Sequence, residues 1–387
     1  MKSIMKTFKD NVSQYSMIIA LVGIVIFFQI ASQGILLKPL NITNLILQNS
    51  YILILAIGML LVIVAFQIDL SVGSVAAVLG ALAGMMIINH NMSVPLGIAA
   101  VLIIGAIIGA WQGFWIAYVK IPAFITTLAG MMVFRGLTYV SLNGTSVAPF
   151  PRSFQLMSTG FIPDFFNGKG IHITTIVIGL IITILYVISE VRKRAAQKKY
   201  NFEVTDSVIL ALKMGSIIIV INGFCFIMAK YKGLPNVLVL LAVLVAFYTF
   251  ITTKTTLGRH IYALGGNEKA ARLSGVKTKF IVFLVFINMG VLSALSGLVF
   301  AARLNSATPN AGVGFELDAI AACFIGGAST SGGIGTIMGA IIGGLFMGVM
   351  NNGMSLMGVG IDWQQAIKGM VLLFAVAFDV YSKSKAA

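Results

Sequence analysis

The chain has 387 residues, of which 59% are hydrophobic and only 10% are charged, and its mean hydropathy is +1.01. Soluble domains carry about 25% charged residues, so this composition excludes an ordinary water-soluble protein. The formal net charge is +15, but the basic residues stand in short segments between apolar runs, as they do in cytoplasmic loops of membrane proteins. The sequence therefore predicts an all-α polytopic membrane protein with no nucleic-acid partner.

Apolar runs that are long enough to cross a bilayer as helices follow one another along the chain. They lie near 16–37, 44–68, 71–89, 95–119, 121–140, 172–189, 214–229, 236–252, 280–301, 319–330, 334–350 and 363–381. The run at 319–330 is short and ends in glycines, which predicts a half-helix or a re-entrant turn. We expect about ten to twelve transmembrane helices, some of them discontinuous, in a single domain over residues 1–387.

The first apolar run follows Lys2, Lys6 and Lys9, as in a signal peptide. The run is too long for a signal peptide and no convincing cleavage site follows it, so we interpret it as a retained first span. Further basic clusters at 192–199, at 254–279 and at the C-terminus fall on the same side when the N-terminus is placed in the cytoplasm. Charge placement thus predicts a multi-pass membrane protein with both termini in the cytoplasm.

Patterns that would indicate catalysis or metal binding are missing from the sequence. Cys225 and Cys323 lie in apolar runs without a Cys-x-x-Cys spacing, and the three histidines stand at no ligand spacing. Gly168-Lys169-Gly170 lacks the spacing of a phosphate-binding loop. We therefore predict no catalytic residue, no metal site, no cofactor and no disulfide framework.

Six polar residues near the ends of apolar runs are candidates for the translocation path or its gate: Asp69, Ser71, Asn143, Glu316, Asp318 and Asn352. A carboxylate at membrane depth is costly and usually faces a bundle interior or a water path. The alternative is structural: Asp69 or Ser71 would cap the next helix, while Glu316 and Asp318 would complement a helix dipole. Positions near the predicted membrane surface, for Asn352 as well, favour this alternative.

Two polar, small-residue segments, 69–74 and 329–336, each precede an apolar helix. Duplicated transporter halves with broken helices show such an echo, although chance similarity in a glycine-rich membrane sequence explains it equally well. Many glycines follow a small-x-x-x-small spacing, as at 80 and 84 or at 335, 339 and 343. This spacing predicts close helix packing in lipid rather than contact with a ligand.

The polar segment 254–280 is the most distinctive part of the chain. A glycine pair and Asn267 are placed to end one short helix and cap the next, with Glu268 in the first turn of the second helix and Gly275 after its last. A short helix-turn-helix between two spans indicates that something docks on it, whereas the alternative is an interfacial loop without a partner.

The stretch 258–276 closely resembles the ATPase-docking loop of permease subunits in bacterial ATP-binding-cassette sugar importers of the ribose, xylose and galactoside type. Further similar motifs, in the same order along the chain, lie at 68–74, 121–130, 135–137, 302–309, 315–322, 325–336 and 352–358. The resemblance covers nearly the whole chain. It is strongest to the longer xylose or multiple-sugar branch, which carries an extra helix pair around a basic loop, here near 172–229.

The resemblance implies a permease of the bacterial plasma membrane that catalyses no covalent chemistry and forms the pathway for a monosaccharide. It implies a cytoplasmic ATP-binding subunit, an extracytoplasmic sugar-binding protein, a second permease copy and membrane lipid as partners. The residues that it assigns to ATPase docking are Gly258, Arg259, Gly265, Gly266, Asn267, Glu268, Ala271, Arg272 and Gly275.

The chain departs from the pattern of this family at two places. Gln112-Gly113 stands where the family usually has Asn-Gly, and Phe66-Gln67 stands where it usually has Gly-Gly. The first change keeps a side-chain amide, and the second predicts a less flexible turn. The rival functional hypotheses are an autonomous secondary transporter or channel and a membrane enzyme acting on lipid. The first normally needs charges inside the membrane and the second a polar catalytic cluster.

Overall fold

The computed structural model describes residues 12–168, 170–200, 202, 204 and 207–384. In this part of the chain the regular structure is helical and no strand occurs beyond two isolated bridges, which confirms the predicted all-α class. The helices of the first half are α1 Val12–Ala31, α2 Pro39–Val64, α3 Val72–Gly84, α4 Val94–Phe114, α5 Ala123–Leu142, α6 Arg152–Thr159 and α7 Ile173–Lys199. Those of the second half are α8 Ser207–Ala229, α9 Asn236–Lys254, α10 Thr256–Gly266, α11 Glu268–Leu273, α12 Thr278–Leu304, α13 Phe315–Ile325, α14 Ile337–Leu356 and α15 Ile361–Ser384.

Ten helices in the described part are long and apolar enough to cross a membrane, and a shorter apolar helix lies at Met17–Ala31. The predicted range of ten to twelve spans therefore holds. Two spans are extended by π-helical turns, because α3 continues through Met85–Asn89 and α4 continues through Trp115–Val119. Lys2, Lys6, Lys9 and Lys385 lie outside the described residues.

The long helix α12 forms the centre of the bundle and packs against α2, α3 and α4. Small residues allow the closest of these crossings. A Cβ atom on Gly290 of α12 would overlap the carbonyl oxygen of Gly105 on α4, so only glycine lets the two backbones approach this far. The same reason explains Gly339 and Gly343 of α14, which face the backbone of α13 and its following loop.

The helix α13 has 11 residues, about 16 Å of rise, and therefore spans roughly half of a bilayer core. It ends at Ile325, and the chain continues as an irregular loop over 326–336 before α14 begins. This discontinuous element confirms the half-helix predicted for this run. Its start lies four residues earlier than the apolar run, because Phe315 and Glu316 already belong to its first turn.

The helices α7 and α8, in the region of the expected extra pair, lie at the periphery, where they pack mainly on each other and bury few of their side chains. Asn222 donates to Thr183 at 2.8 Å, and Lys213 pairs with Glu190 at 3.2 Å, so polar contacts join the two helices along their length. One end of the bundle carries the short helices α10 and α11 and is called the α10 end. The opposite end carries the short helix α6 and is called the α6 end.

Candidate docking surface and gate residues

The segment 254–280 forms the predicted helix-turn-helix from α10 and α11. The hydroxyl of Thr255 accepts a hydrogen bond from the amide of Gly258 at 3.2 Å and caps α10. The side chain of Asn267 accepts from the amide of Ala270 at 3.0 Å and caps α11. Gly275 follows α11 with φ +85°, a conformation that glycine adopts without steric cost. The helix break and both ends of α11 are thus confirmed.

Two glycines hold α10 directly on backbone. A Cβ atom on Gly258 would overlap the carbonyl oxygen of Ile251, and one on Gly265 would overlap the carbonyl oxygen of Val64 at the end of α2. Both glycines are buried, and so is Ala271. These three residues therefore support the surface expected to dock an ATPase and do not present themselves to a partner.

The remaining residues of the expected docking set face outward: Arg259, Gly266, Asn267, Glu268, Arg272 and Gly275. Leu273 stands beside them with 87% of its side chain exposed. A single exposed leucine is common on protein surfaces, but its place within the charged face expected to dock a partner makes it a candidate apolar contact of that face. The sequence interpretation missed Leu273, although an isolated leucine at the end of a charged six-residue helix was a usable signal.

Hydrogen bonds join α10 and the end of α2 to the loop after the half-helix. Tyr262 of α10 donates to the carbonyl oxygen of Gly335 at 2.6 Å, and the amide of Gly333 donates to the carbonyl oxygen of Val64 at 2.9 Å. On its other side the same loop reaches α15, where Thr330 donates to Asp379 through its amide at 3.3 Å and its hydroxyl at 3.1 Å. A shift of α10 would therefore act directly on the loop that continues α13.

Asp69 and Ser71 form a buried polar cluster before α3, but neither side chain caps that helix. Asp69 accepts from the amide of Ser71 at 2.8 Å and from its hydroxyl at 2.6 Å, and Gln112 of α4 donates to the same hydroxyl at 2.7 Å. The expected helix cap is therefore wrong, because the Asp69 carboxylate accepts its hydrogen bonds from Ser71, which precedes the helix, and not from an amide inside α3. The amide kept at position 112 serves this cluster.

The second departure from the family pattern, Phe66-Gln67, lies in the turn before Asp69. Phe66 has φ +59°, in the left-handed region, and 62% of its side chain is exposed. A residue with a Cβ atom pays roughly 1–2 kcal/mol there, a cost that glycine avoids. The turn keeps the geometry that suits glycine although phenylalanine occupies it.

Glu316 and Asp318 lie in the first turn of α13, as the helix-dipole interpretation predicted. Asp318 is buried and pairs with Lys368 of α15 at 3.1 Å. Both residues line a cavity of about 340 Å³ together with Glu316. Lys368 was not recognised in the sequence, because nothing in its local pattern shows the partner 50 residues away.

Asn352 is buried in protein and forms a reciprocal amide pair with Asn41 of α2, with N–O distances of 2.8 Å and 3.2 Å. Asn352 therefore joins α14 to α2 near the end of one helix and the start of the other. Asn143 is exposed at the α6 end, where it ends α5 with φ +48°. The six gate candidates do not form one cluster, since Asp69 bonds to Ser71, Asp318 pairs with Lys368 and Asn352 bonds to Asn41. The Glu316 carboxylate reaches the first turn of α3, where it lies against Gly73.

Among the described residues no group of three histidine, cysteine, aspartate or glutamate side chains is close enough to hold a metal ion. Cys225 and Cys323 are both buried free thiols.

Comparison with known proteins identifies relatives over nearly the full length. The xylose transport system permease protein of Haemophilus influenzae is 39% identical over 97% of this chain and 98% of its own length. The corresponding protein of Escherichia coli is 37% identical over 97% of this chain and 93% of its own length. The ribose import permease protein of Escherichia coli is 35% identical over 88% and 85% of the two chains. None of the solved structures compared matches the chain.

A family model described as "Branched-chain amino acid transport system / permease component" matches residues 41–376. This match includes α2 to α14 and most of α15, and so contains the half-helix and the helix-turn-helix described above. The chain belongs to this family of transport-system permease components.

Proposed function

We propose that this chain is the pathway-forming permease subunit of an ATP-driven importer of a monosaccharide, with xylose as the first substrate to test. The observation that carries the proposal is the extent of similarity to the xylose permeases, which includes 97% of this chain against 88% for the ribose permease. The family description refers to amino acids, but the relatives named above transport sugars.

We infer that the exposed face of α10 and α11 docks a separate ATP-binding subunit. Glu268 and Arg272 supply charges of both signs, and Leu273 supplies an exposed apolar side chain next to Arg272. Interfaces of this kind gain most of their affinity from a few such residues. The energy source would then lie on the partner, and this chain would need no catalytic residue of its own.

Coupling requires that docking favours one of two conformations of the pathway. The contacts from Tyr262 to the 326–336 loop, and from this loop to α2 and α15, give the docking helix a direct connection to a broken helix inside the bundle. We propose that this loop moves with α10 and opens or closes the path. The gate candidates Asp69 and Ser71 lie at the same end of the bundle.

Two further parts of the proposal follow from the resemblance described above. An extracytoplasmic sugar-binding protein would deliver the sugar at the α6 end, and two copies of the chain would form the complete pathway. The placement of the basic residues adds that both termini would lie in the cytoplasm. Together they describe a multi-pass subunit of the plasma membrane.

Copurification tests the docking surface. Arg272→Glu in the full chain should lose the ATP-binding subunit that copurifies with the wild type, because reversal converts an attractive contact into a repulsive one. Lys193→Glu is the matched control, since Lys193 is an exposed basic residue at the end of α7. Equal recovery of the subunit with Arg272→Glu and with Lys193→Glu would contradict the assignment of α10 and α11.

A further inference from the structure

A cavity of about 600 Å³ lies at the α10 end, beside the proposed docking surface. One wall is the turn that leads from α4 into α5, over residues 116–123. The opposite wall is formed by α11 and the start of α12, over residues 268–282. Segments that are far apart in sequence therefore enclose one space at the ends of two membrane-spanning helices.

The charged side chains around this cavity are mostly of one sign. Lys120, Arg272, Lys277 and Lys279 line it with a single carboxylate, Glu268, which leaves a formal charge of +3. Within the described chain none of these five side chains forms an ion pair. Four cations around one space repel each other, so an anion in the cavity would remove an unfavourable interaction.

The backbone adds to the same potential. Two long helices, α5 and α12, begin at this cavity, and neither has a side-chain cap on its first amides. The amides at a helix start carry partial positive charge and favour an anion. Lys120 itself has φ +67°, a left-handed conformation in which a lysine pays a steric cost that glycine or asparagine largely avoids.

Most of the other lining residues are apolar, apart from Gln67 and Thr278, and two aromatic ones reach the outer surface of the bundle. Tyr118 is 42% exposed and Phe280 is 47% exposed, and both lie on the cavity wall. Both also stand within a few residues of a helix start or end, the level at which aromatic side chains meet lipid headgroups. The occupant should therefore combine an anionic group with a long apolar part.

We propose that this cavity binds the headgroup of an anionic phospholipid. Its phosphodiester would lie between Lys120, Lys277 and Lys279 at the two helix starts, and its acyl chains would run along Tyr118 and Phe280. A free phosphate compound would satisfy the cations but leave the apolar wall uncovered, so the structure favours the lipid. Arg272 and Glu268 line the same cavity, so bound lipid would lie directly against the proposed docking helices α10 and α11.

Native mass spectrometry of the full chain in detergent, titrated with phosphatidylglycerol or phosphatidylcholine, tests this proposal. The triple variant Lys120→Gln, Lys277→Gln and Lys279→Gln should bind phosphatidylglycerol roughly a hundredfold more weakly than the wild type, and each single variant about fivefold more weakly. The control triple variant Lys193→Gln, Lys198→Gln and Lys199→Gln removes the same charge from exposed basic residues of α7, so it measures the nonspecific part of the loss and should bind phosphatidylglycerol clearly more tightly than the cavity variant. Phosphatidylcholine should not distinguish the proteins.

Unchanged phosphatidylglycerol affinity in the triple variant would overturn the proposal, and the single variants provide the same test if the triple variant does not fold. Full displacement of the lipid by millimolar inorganic phosphate would assign the cavity to a soluble anion instead. Unchanged lipid binding with loss of the copurifying ATP-binding subunit would assign these lysines to that protein. Displacement by phosphate and loss of the subunit would each reject the lipid site. Only loss of the subunit would bear on the proposed docking of the ATP-binding subunit.

Discussion

Lys368 and Asp318 place opposite charges inside the bundle, where each would be expensive alone. Their side chains are 26% and 7% exposed, and the 3.1 Å contact joins α15 to the half-helix α13. Removal of one partner from a buried ion pair typically costs about 3–5 kcal/mol, because it leaves the other charge unpaired. Replacement of both partners by apolar residues of similar size costs much less.

We therefore expect Lys368→Met to lower the melting temperature of the detergent-solubilised protein markedly. The double variant Lys368→Met, Asp318→Leu should recover most of the loss. Thermal unfolding followed by circular dichroism checks both. A double variant no more stable than Lys368→Met would show that the pair itself, and not the unpaired carboxylate, determines stability.

Asp164 organises the loop before α7 at the α6 end. Its carboxylate accepts from the amides of Phe166, Gly168, Ile173 and Thr174 and from the Thr174 hydroxyl, at 2.8–3.3 Å. Desolvation acts to raise the pKa of Asp164, but the hydrogen bonds from Thr174, Gly168 and Phe166 outweigh it and hold the pKa well below its usual range. The stabilisation from this carboxylate is therefore present above its unfolded pKa of about 3.9 and is lost as the pH falls through the folded value.

Asp164→Asn should speed hydrogen exchange at residues 166, 168 and 174, because an amide oxygen replaces a carboxylate that accepts five hydrogen bonds. In the wild type, protection of these amides against exchange should remain constant from pH 8 to pH 5, after correction for the intrinsic rate. Loss of protection in the wild type within this range, or unchanged protection in Asp164→Asn, would contradict the role given to the carboxylate.

At the scale of elements, the helix-turn-helix of α10 and α11 could be predicted in detail. Its signals are local, since Asn267 and Gly275 act within a few residues of their own positions. The half-helix α13 could be predicted as well, because a short apolar run before glycines cannot cross a bilayer. The cap predicted for Asp69 was wrong because an aspartate before a helix can accept hydrogen bonds from the helix amides or from a nearer residue. The sequence does not distinguish these two arrangements.

Contacts between distant elements could not be predicted. The Asn41–Asn352 pair joins residues 311 positions apart, and the Asp318–Lys368 pair joins two helices in different parts of the chain. Each partner alone has an ordinary interpretation as a polar residue near a span end. Only the packing of α2 on α14 and of α13 on α15 brings the pairs together.

The exposure of Leu273 provides a test of the docking element that does not alter charge. Leu273→Ser should weaken binding of the ATP-binding subunit by roughly tenfold, because full burial of a leucine side chain contributes about 1.5–3 kcal/mol and about 1.4 kcal/mol corresponds to a factor of ten. Leu212→Ser is the matched control, since Leu212 of α8 is 69% exposed and lies in the peripheral helix pair. Equal binding by Leu273→Ser and by the wild type would mean that this leucine has another partner.

At the scale of the whole molecule, the structure is a bundle around α12 whose α10 end combines three features. The exposed helix-turn-helix, the loop of a broken helix and the buried Asp69 cluster all lie there, and hydrogen bonds connect the first two. The Asp318–Lys368 pair provides the intramembrane charge that a transporter driven by an ion gradient normally needs. ATP dependence distinguishes that mechanism from the proposed one.

Uptake of labelled xylose into proteoliposomes tests this most directly. The vesicles contain the purified chain with or without its copurifying ATP-binding subunit and carry ATP inside, with the sugar-binding protein outside. We expect uptake only when the ATP-binding subunit and ATP are both present, and its loss with Arg272→Glu but not with Lys193→Glu. Uptake by the chain alone, driven by an ion gradient and indifferent to ATP, would contradict the account.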